Sequence, residues 1–232
     1  STIYGREIDR KRTVMVANGE VFKPDALEGF VGKTATLSLG YQAGAHRLRH
    51  ALATSKEMKV KLPIDECFHI VNTYRMKNWR IAAMWEQAQS WLHFLAHGTG
   101  TLDYKCITLD ADTHKIWGPD GTFLYYPGLS HNAGEYTYID NGGTDAVYIY
   151  GGKLIENIIQ WLSRAIIASH ILTVRSRYNV VAMVHDEILC CVRRAEADEA
   201  LAWILSVMRT PPAWAPDLPL DAEGAWDVCY SK

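Results

Sequence analysis

Residues 180–192, Val-Val-Ala-Met-Val-His-Asp-Glu-Ile-Leu-Cys-Cys-Val, constrain the chain more than any other stretch. Two apolar runs, each too short for a helix, flank three polar residues. The pattern predicts two buried strands folded back on each other as a tight hairpin. His185, Asp186 and Glu187 then occupy its tip. Two carboxylates and an imidazole on a turn between buried strands are held firmly yet reach solvent, which suits divalent-cation binding and phosphate chemistry. A polar turn that merely closes a hairpin has the same composition, so the tripeptide does not decide alone.

With 232 residues and 48% hydrophobic content, the chain has material for one large or two small domains. No apolar stretch approaches the roughly 20 residues that span a bilayer, and the N-terminal residues lack a basic-then-apolar secretory pattern. No membrane partner is expected. The five cysteines (67, 106, 190, 191 and 229) form no Cys-x-x-Cys pair. A reduced intracellular compartment, with thiols as core filler, is the expectation. The net charge of -2 hides an asymmetry. Lys33 to Lys61 holds six basic residues against Glu57, whereas Ala195 to Asp227 holds seven acids against Arg209. A polyanion should therefore contact the first segment and avoid the last.

Around Asn18-Gly19, the apolar residues Val14-Met-Val16 and Val21-Phe22 suggest a small hairpin. Asp25-Ala-Leu-Glu28 has capping-box spacing just after Pro24, so a helix should start at Asp25 and run towards Tyr41. Lys33, Leu37 and Tyr41 follow at i, i+4 and i+8 on one face. Such a stripe can hold a phosphate at one end and a flat ring at the other, and it equally fits an amphipathic helix with a snorkelling lysine. His46-Arg47-Leu-Arg49-His50 is the densest basic cluster, either a solvated helix face or a phosphate contact. Residues 63–98 read as one or two helices with core tryptophans. Turn signals at Pro119-Asp-Gly121 and Asn141-Gly142, with many tyrosines between 125 and 150, predict an antiparallel meander whose aromatics are cross-strand packing or a nucleic-acid surface. Lys153 to Leu172 reads as a helix with Leu154, Ile158, Leu162, Ala165 and Ser169 on one face. Asn157, Gln160 and Arg164 form a polar stripe suited to base edges and phosphates, or to solvent. Leu201, Ile204, Leu205 and Met208 mark a last helix, stopped by Pro211-Pro212.

Three of these stretches, in order, resemble motifs of family A DNA polymerases. Lys33-Thr-Ala-Thr-Leu-Ser-Leu-Gly-Tyr41-Gln-Ala-Gly-Ala-His-Arg-Leu48 looks like the fingers helix called motif B, whose lysine and tyrosine flank the incoming nucleotide. Tyr150-Gly-Gly-Lys-Leu-Ile-Glu-Asn-Ile-Ile-Gln160 looks like the phage version of the segment whose glutamine touches the template-primer. Val184-His185-Asp186-Glu187 matches motif C, the palm turn whose aspartate binds the catalytic metals. Leu218-Pro-Leu-Asp-Ala-Glu223-Gly resembles the family's C-terminal strand.

The resemblance implies an α+β right-hand fragment. It would comprise a helical fingers subdomain over 1–100, a β-rich insertion over 101–150 and part of an antiparallel palm sheet over 151–232. It also implies that Asp186 binds Mg2+ in a two-metal site with Glu187 as helper acid, and that His185 lies by the primer terminus. Lys33 would bind the triphosphate and protonate the pyrophosphate. Leu37 and Tyr41 would complete the nucleotide site, while Gln160, Arg164, His46 and Arg47 would contact nucleic acid.

The chain departs from the family at Gly29, where relatives carry an arginine that Arg47 or another chain would have to replace, and at Leu37, where most carry an aromatic residue. Motif A, with the second metal-binding aspartate, lies in relatives just upstream of a segment resembling Ser1-Thr-Ile-Tyr4-Gly5. Since Asp186 alone cannot position two ions, the expectation is a split polymerase, with a cut from one longer polypeptide as the lesser alternative. A second polypeptide would bring motif A, the thumb and any exonuclease, and the complex would act on primed template DNA and deoxynucleotides in the cytoplasm of a bacterial host. A non-catalytic DNA-binding or assembly subunit is the rival reading. A metal-dependent phosphohydrolase built on His185 and Asp186 would need a supporting His/Asp set at helical spacing, and none is read.

Overall fold

The computed structural model describes residues 4–9, 12–15, 21–140 and 142–230. In chain order, β1 (Val14–Met15) and β2 (Val21–Phe22) precede four helices, α1 (Ala26–Leu39), α2 (Ala45–Thr54), α3 (Ile64–Lys77) and α4 (Trp79–His97). Seven short strands follow: β3 (Thr101–Tyr104), β4 (Ile107–Asp110), β5 (Lys115–Trp117), β6 (Phe123–Tyr125), β7 (Ser130–Asn132), β8 (Glu135–Ile139) and β9 (Ala146–Ile149). The chain continues through α5 (Gly151–Arg175), the hairpin β10 (Asn179–Val184) and β11 (Glu187–Cys191), and α6 (Ala197–Met208). Helices and antiparallel sheets are thus mixed, as in an α+β protein. Among the described residues, no helix is long and apolar enough to cross a membrane.

Two compact units emerge, Ser1–His97 with Gly128–Glu156, and Gly98–Pro127 with Asn157–Lys232. The first has a helical core in which Val31, Ala35 and Leu39 of α1 meet Leu48 and Leu52 of α2 and Cys67, Ile70 and Val71 of α3. These positions recur at helical spacing, so each helix buries one stripe. Trp85 and Trp91 of α4 are buried as expected, whereas Trp79, at the helix start, is 61% exposed. The sheet of this unit is β7-β8-β9, and β1 pairs with β2. The turn expected at Asn18-Gly19 lies outside the described residues.

The second unit holds the meander β3-β4-β5-β6, whose Ile107, Leu109 and Ile116 alternate inward. The strands expected between 101 and 150 therefore form two sheets rather than one meander. A chain reversal at Tyr126 to Leu129, with Gly128 at φ 62°, separates them. The unit also contains most of α5, the β10–β11 hairpin and α6.

Two local expectations are corrected. Asp25 precedes α1, but its side chain makes no cap bond to the helix. The buried carboxylate instead accepts a hydrogen bond from Arg6 at 2.6 Å, and a charge-assisted partner displaces a neutral backbone donor. Residues 218–227 form no strand. Pro219 offers no backbone N–H for a ladder, and Asp221 is held by the Arg209 guanidinium at 2.8 Å.

Candidate functional site

In the first unit, α1 delivers Lys33 and Leu37 one turn apart, and Tyr41 follows just beyond its end. The chain then reverses through Gln42, at φ 63°, into α2, which begins at Ala45 and presents Arg47. Leu37, Tyr41 and Arg47 line one groove of about 520 Å³. Its opposite wall is Tyr148, Tyr150, Lys153 and Glu156. Leu37 is 59% exposed and Tyr41 38% exposed, so both offer side-chain surface to a ligand.

The wall is fixed by contacts between segments far apart in the chain. The Tyr150 hydroxyl donates to the Tyr41 carbonyl at 3.1 Å, and Tyr148 and Tyr150 stack with centroids 5.6 Å apart. The N–H groups of Gly151 and Gly152, at the start of α5, donate to the Gln89 and Gln42 side-chain carbonyls at 2.8 and 3.0 Å. These bonds satisfy donors that a helix N-terminus otherwise leaves unpaired. Lys153 pairs with Glu156 at 2.8 Å.

Two expected participants in this unit lie outside the groove lining. Lys33 reaches Glu57 at 2.8 Å, an exposed ion pair of the kind that contributes about 0–1 kcal/mol. His46 packs edge-on against Phe68, with centroids 5.9 Å apart. Tyr148, Tyr150 and Lys153 were not read as site residues. The tyrosines read as cross-strand packing with a nucleic-acid surface as the alternative, and Tyr150 and Lys153 stood out only as part of the string at the start of α5 that leads to Gln160.

In the second unit, β10 and β11 pair antiparallel with Val184 opposite Glu187. The break has two residues rather than three, because Glu187 joins the ladder. His185 takes φ 56°, as the first central residue of a primed hairpin turn requires. The His185 and Asp186 side chains are exposed at the tip, while Glu187 is half-buried and accepts a hydrogen bond from the Tyr230 hydroxyl at 3.2 Å. Of the polar stripe on α5, Arg164 bonds the sulfur of Met183 on β10, Gln160 is exposed, and Asn157 donates to the Tyr126 hydroxyl at 3.1 Å. The unit thus brings Arg164 beside the strand that leads into the acidic turn. An exposed carboxylate on a rigid turn is the hard oxygen donor that Mg2+ takes, although one such group does not make a two-metal set.

The chain is 27% identical over 219 residues to the DNA polymerase of Bacillus phage SP02, an alignment covering 87% of this chain and 32% of that protein. It therefore spans about a third of the length of the curated relative it matches. No protein-family model and no solved structure matches the chain. At 87% of the chain, the aligned stretch reaches into both units.

Proposed function

We propose that this chain carries the nucleotide-binding helix and the acidic turn of a template-directed DNA polymerase of family A, adding deoxynucleotides to a primer 3′ end. The groove of the first unit carries the reading: Leu37, Tyr41 and Arg47 line one concavity with Tyr148, Tyr150 and Lys153. Apolar and phenolic walls suit a flat base, and the cations suit its phosphates. The likeness to a phage DNA polymerase supports it.

In this reading Tyr41 stacks at the nascent base pair and Leu37 faces the sugar. Arg47 makes the phosphate contact that relatives make with the arginine missing at Gly29. Lys33 exchanges Glu57 for the triphosphate and passes a proton to the departing pyrophosphate. Gln160 and Arg164 touch the template-primer from α5, and His185 lies by the primer terminus. Asp186 holds Mg2+, which when bound neutralises the charge that develops on the phosphates. Glu187, engaged by Tyr230, stands beside it as helper acid.

The remaining carboxylate comes from a segment bearing motif A, joined to this polypeptide or carried by a companion one. The hairpin supports such a neighbour. Its strands are apolar, yet none of their residues is fully buried and Val181 is 58% exposed.

Asp186→Asn in the complete polymerase tests the assignment. Primer extension should be abolished while primer-template affinity is kept. Wild-type extension by the variant would overturn the metal role. Loss of DNA affinity along with synthesis would favour a binding or assembly role for the turn.

A further inference from the structure

His93 and His97 stand at i and i+4 on the last turns of α4, and His131 lies on β7 of the same unit. One ring nitrogen of each lies within 4.8 Å of the others. This is a ligand set at helical spacing of the kind not read from the sequence, and it involves neither His185 nor Asp186. We propose that these three imidazoles form a binding site for a zinc-class divalent cation, separate from the magnesium chemistry assigned to Asp186.

The geometry suits that ion. His97 Nε2 and His131 Nδ1 are 3.2 Å apart. Two nitrogens bound tetrahedrally to Zn2+ at about 2.0–2.1 Å stand about 3.3 Å apart, so this pair already spans one edge of the coordination polyhedron. His93 adds a third nitrogen within 4.8 Å of both, which closes the face when the ion draws it in. Imidazole nitrogen selects zinc and neighbouring transition metals, whereas magnesium takes oxygen.

Tyr136 supplies the support that metal-binding histidines require. It is buried and sits opposite His131 in the β7–β8 ladder. Its ring stacks on that imidazole at 4.2 Å and 11°, and its hydroxyl shares a 3.2 Å hydrogen bond with His93 Nδ1. One side chain thus orients two of the three rings. The hydrogen bond occupies Nδ1 of His93 and leaves Nε2 for the metal. With three protein ligands the fourth position takes solvent, and the bound ion ties the end of α4 to the β7–β8 hairpin.

The test titrates the metal-free full chain with Co2+ and then Zn2+ in competition with a chromophoric chelator. One ion per chain is expected, with the intense visible absorption of tetrahedral cobalt. His93→Ala, His97→Ala and His131→Ala should each weaken Zn2+ binding at least tenfold, Tyr136→Phe by roughly tenfold through loss of the supporting bond, and His69→Ala not at all. Metal-free thermal unfolding of each variant shows whether it still folds, and at a fixed concentration Zn2+ should raise the Tm of the wild-type chain and of His69→Ala equally and that of the three ligand variants less. Absence of the cobalt band overturns the proposal. So does a His131→Ala variant that binds as well as wild type, which would leave only an ordinary helix pair. Neither readout depends on DNA synthesis, so the site and the polymerase reading fail independently.

Discussion

At the residue scale, the charged side chains divide into those the fold has already committed and those held loosely. Lys33 belongs to the second group, since both it and Glu57 are exposed. Lys33→Ala in the complete polymerase should lower kcat/KM for nucleotide by roughly ten- to hundredfold, the worth of one charge-assisted bond to phosphate. An unchanged dependence of rate on nucleotide concentration would remove Lys33 from the site. Asp25 belongs to the first group. The Arg6 guanidinium holds its carboxyl below the ordinary 3.8, with a smaller pull from the Asp9 N–H. A depressed folded-state pKa stabilises the fold above the unfolded value, and that contribution fades as pH falls below 3.8 through the folded one. Acid unfolding of Asp25→Asn, compared with wild type, should lose this component of the pH slope, and identical profiles would contradict the linkage. The sequence pointed to Asp25 as a helix cap because cap spacing is local. It did not reveal Arg6, a partner 19 residues away whose position depends on how the N-terminal segment returns to α1.

Among the elements, α5 shows how one backbone approach builds a site wall. A Cβ on Gly151 would lie 2.1 Å from the Trp85 carbonyl oxygen and 2.9 Å from the Gln89 nitrogen, both backbone atoms of α4. Neither can swing aside. Gly151→Ala should therefore cost about 1–3 kcal/mol or more, read as a lower urea midpoint, and should loosen the Tyr148–Tyr150 wall of the groove. A variant as stable as wild type would mean that α4 and α5 are not in such close contact. The helix itself was legible from the spacing of Leu154, Ile158 and Leu162, and the hairpin from its two apolar runs. The length of the hairpin turn was not legible. Whether Glu187 belongs to turn or strand depends on ladder register, which composition does not specify.

For the whole molecule, the charge asymmetry seen in the sequence has a structural counterpart. The basic residues from Lys33 to Lys61 lie in the first unit, where Arg47 lines the groove. Several acids of the last segment are engaged within the second unit, Asp221 by Arg209 and Asp198 by the Trp226 indole N–H at 2.7 Å. The sequence by itself determined α1, α5, α6, the acidic hairpin and the order of its motifs, because periodicity and turn chemistry act over a few residues. The tertiary structure alone decided which distant residues share a surface. It set Tyr150 against Tyr41, 109 positions apart, and His131 against His97, 34 apart. Such meetings arise from the packing of whole elements, and no local pattern in either partner encodes them.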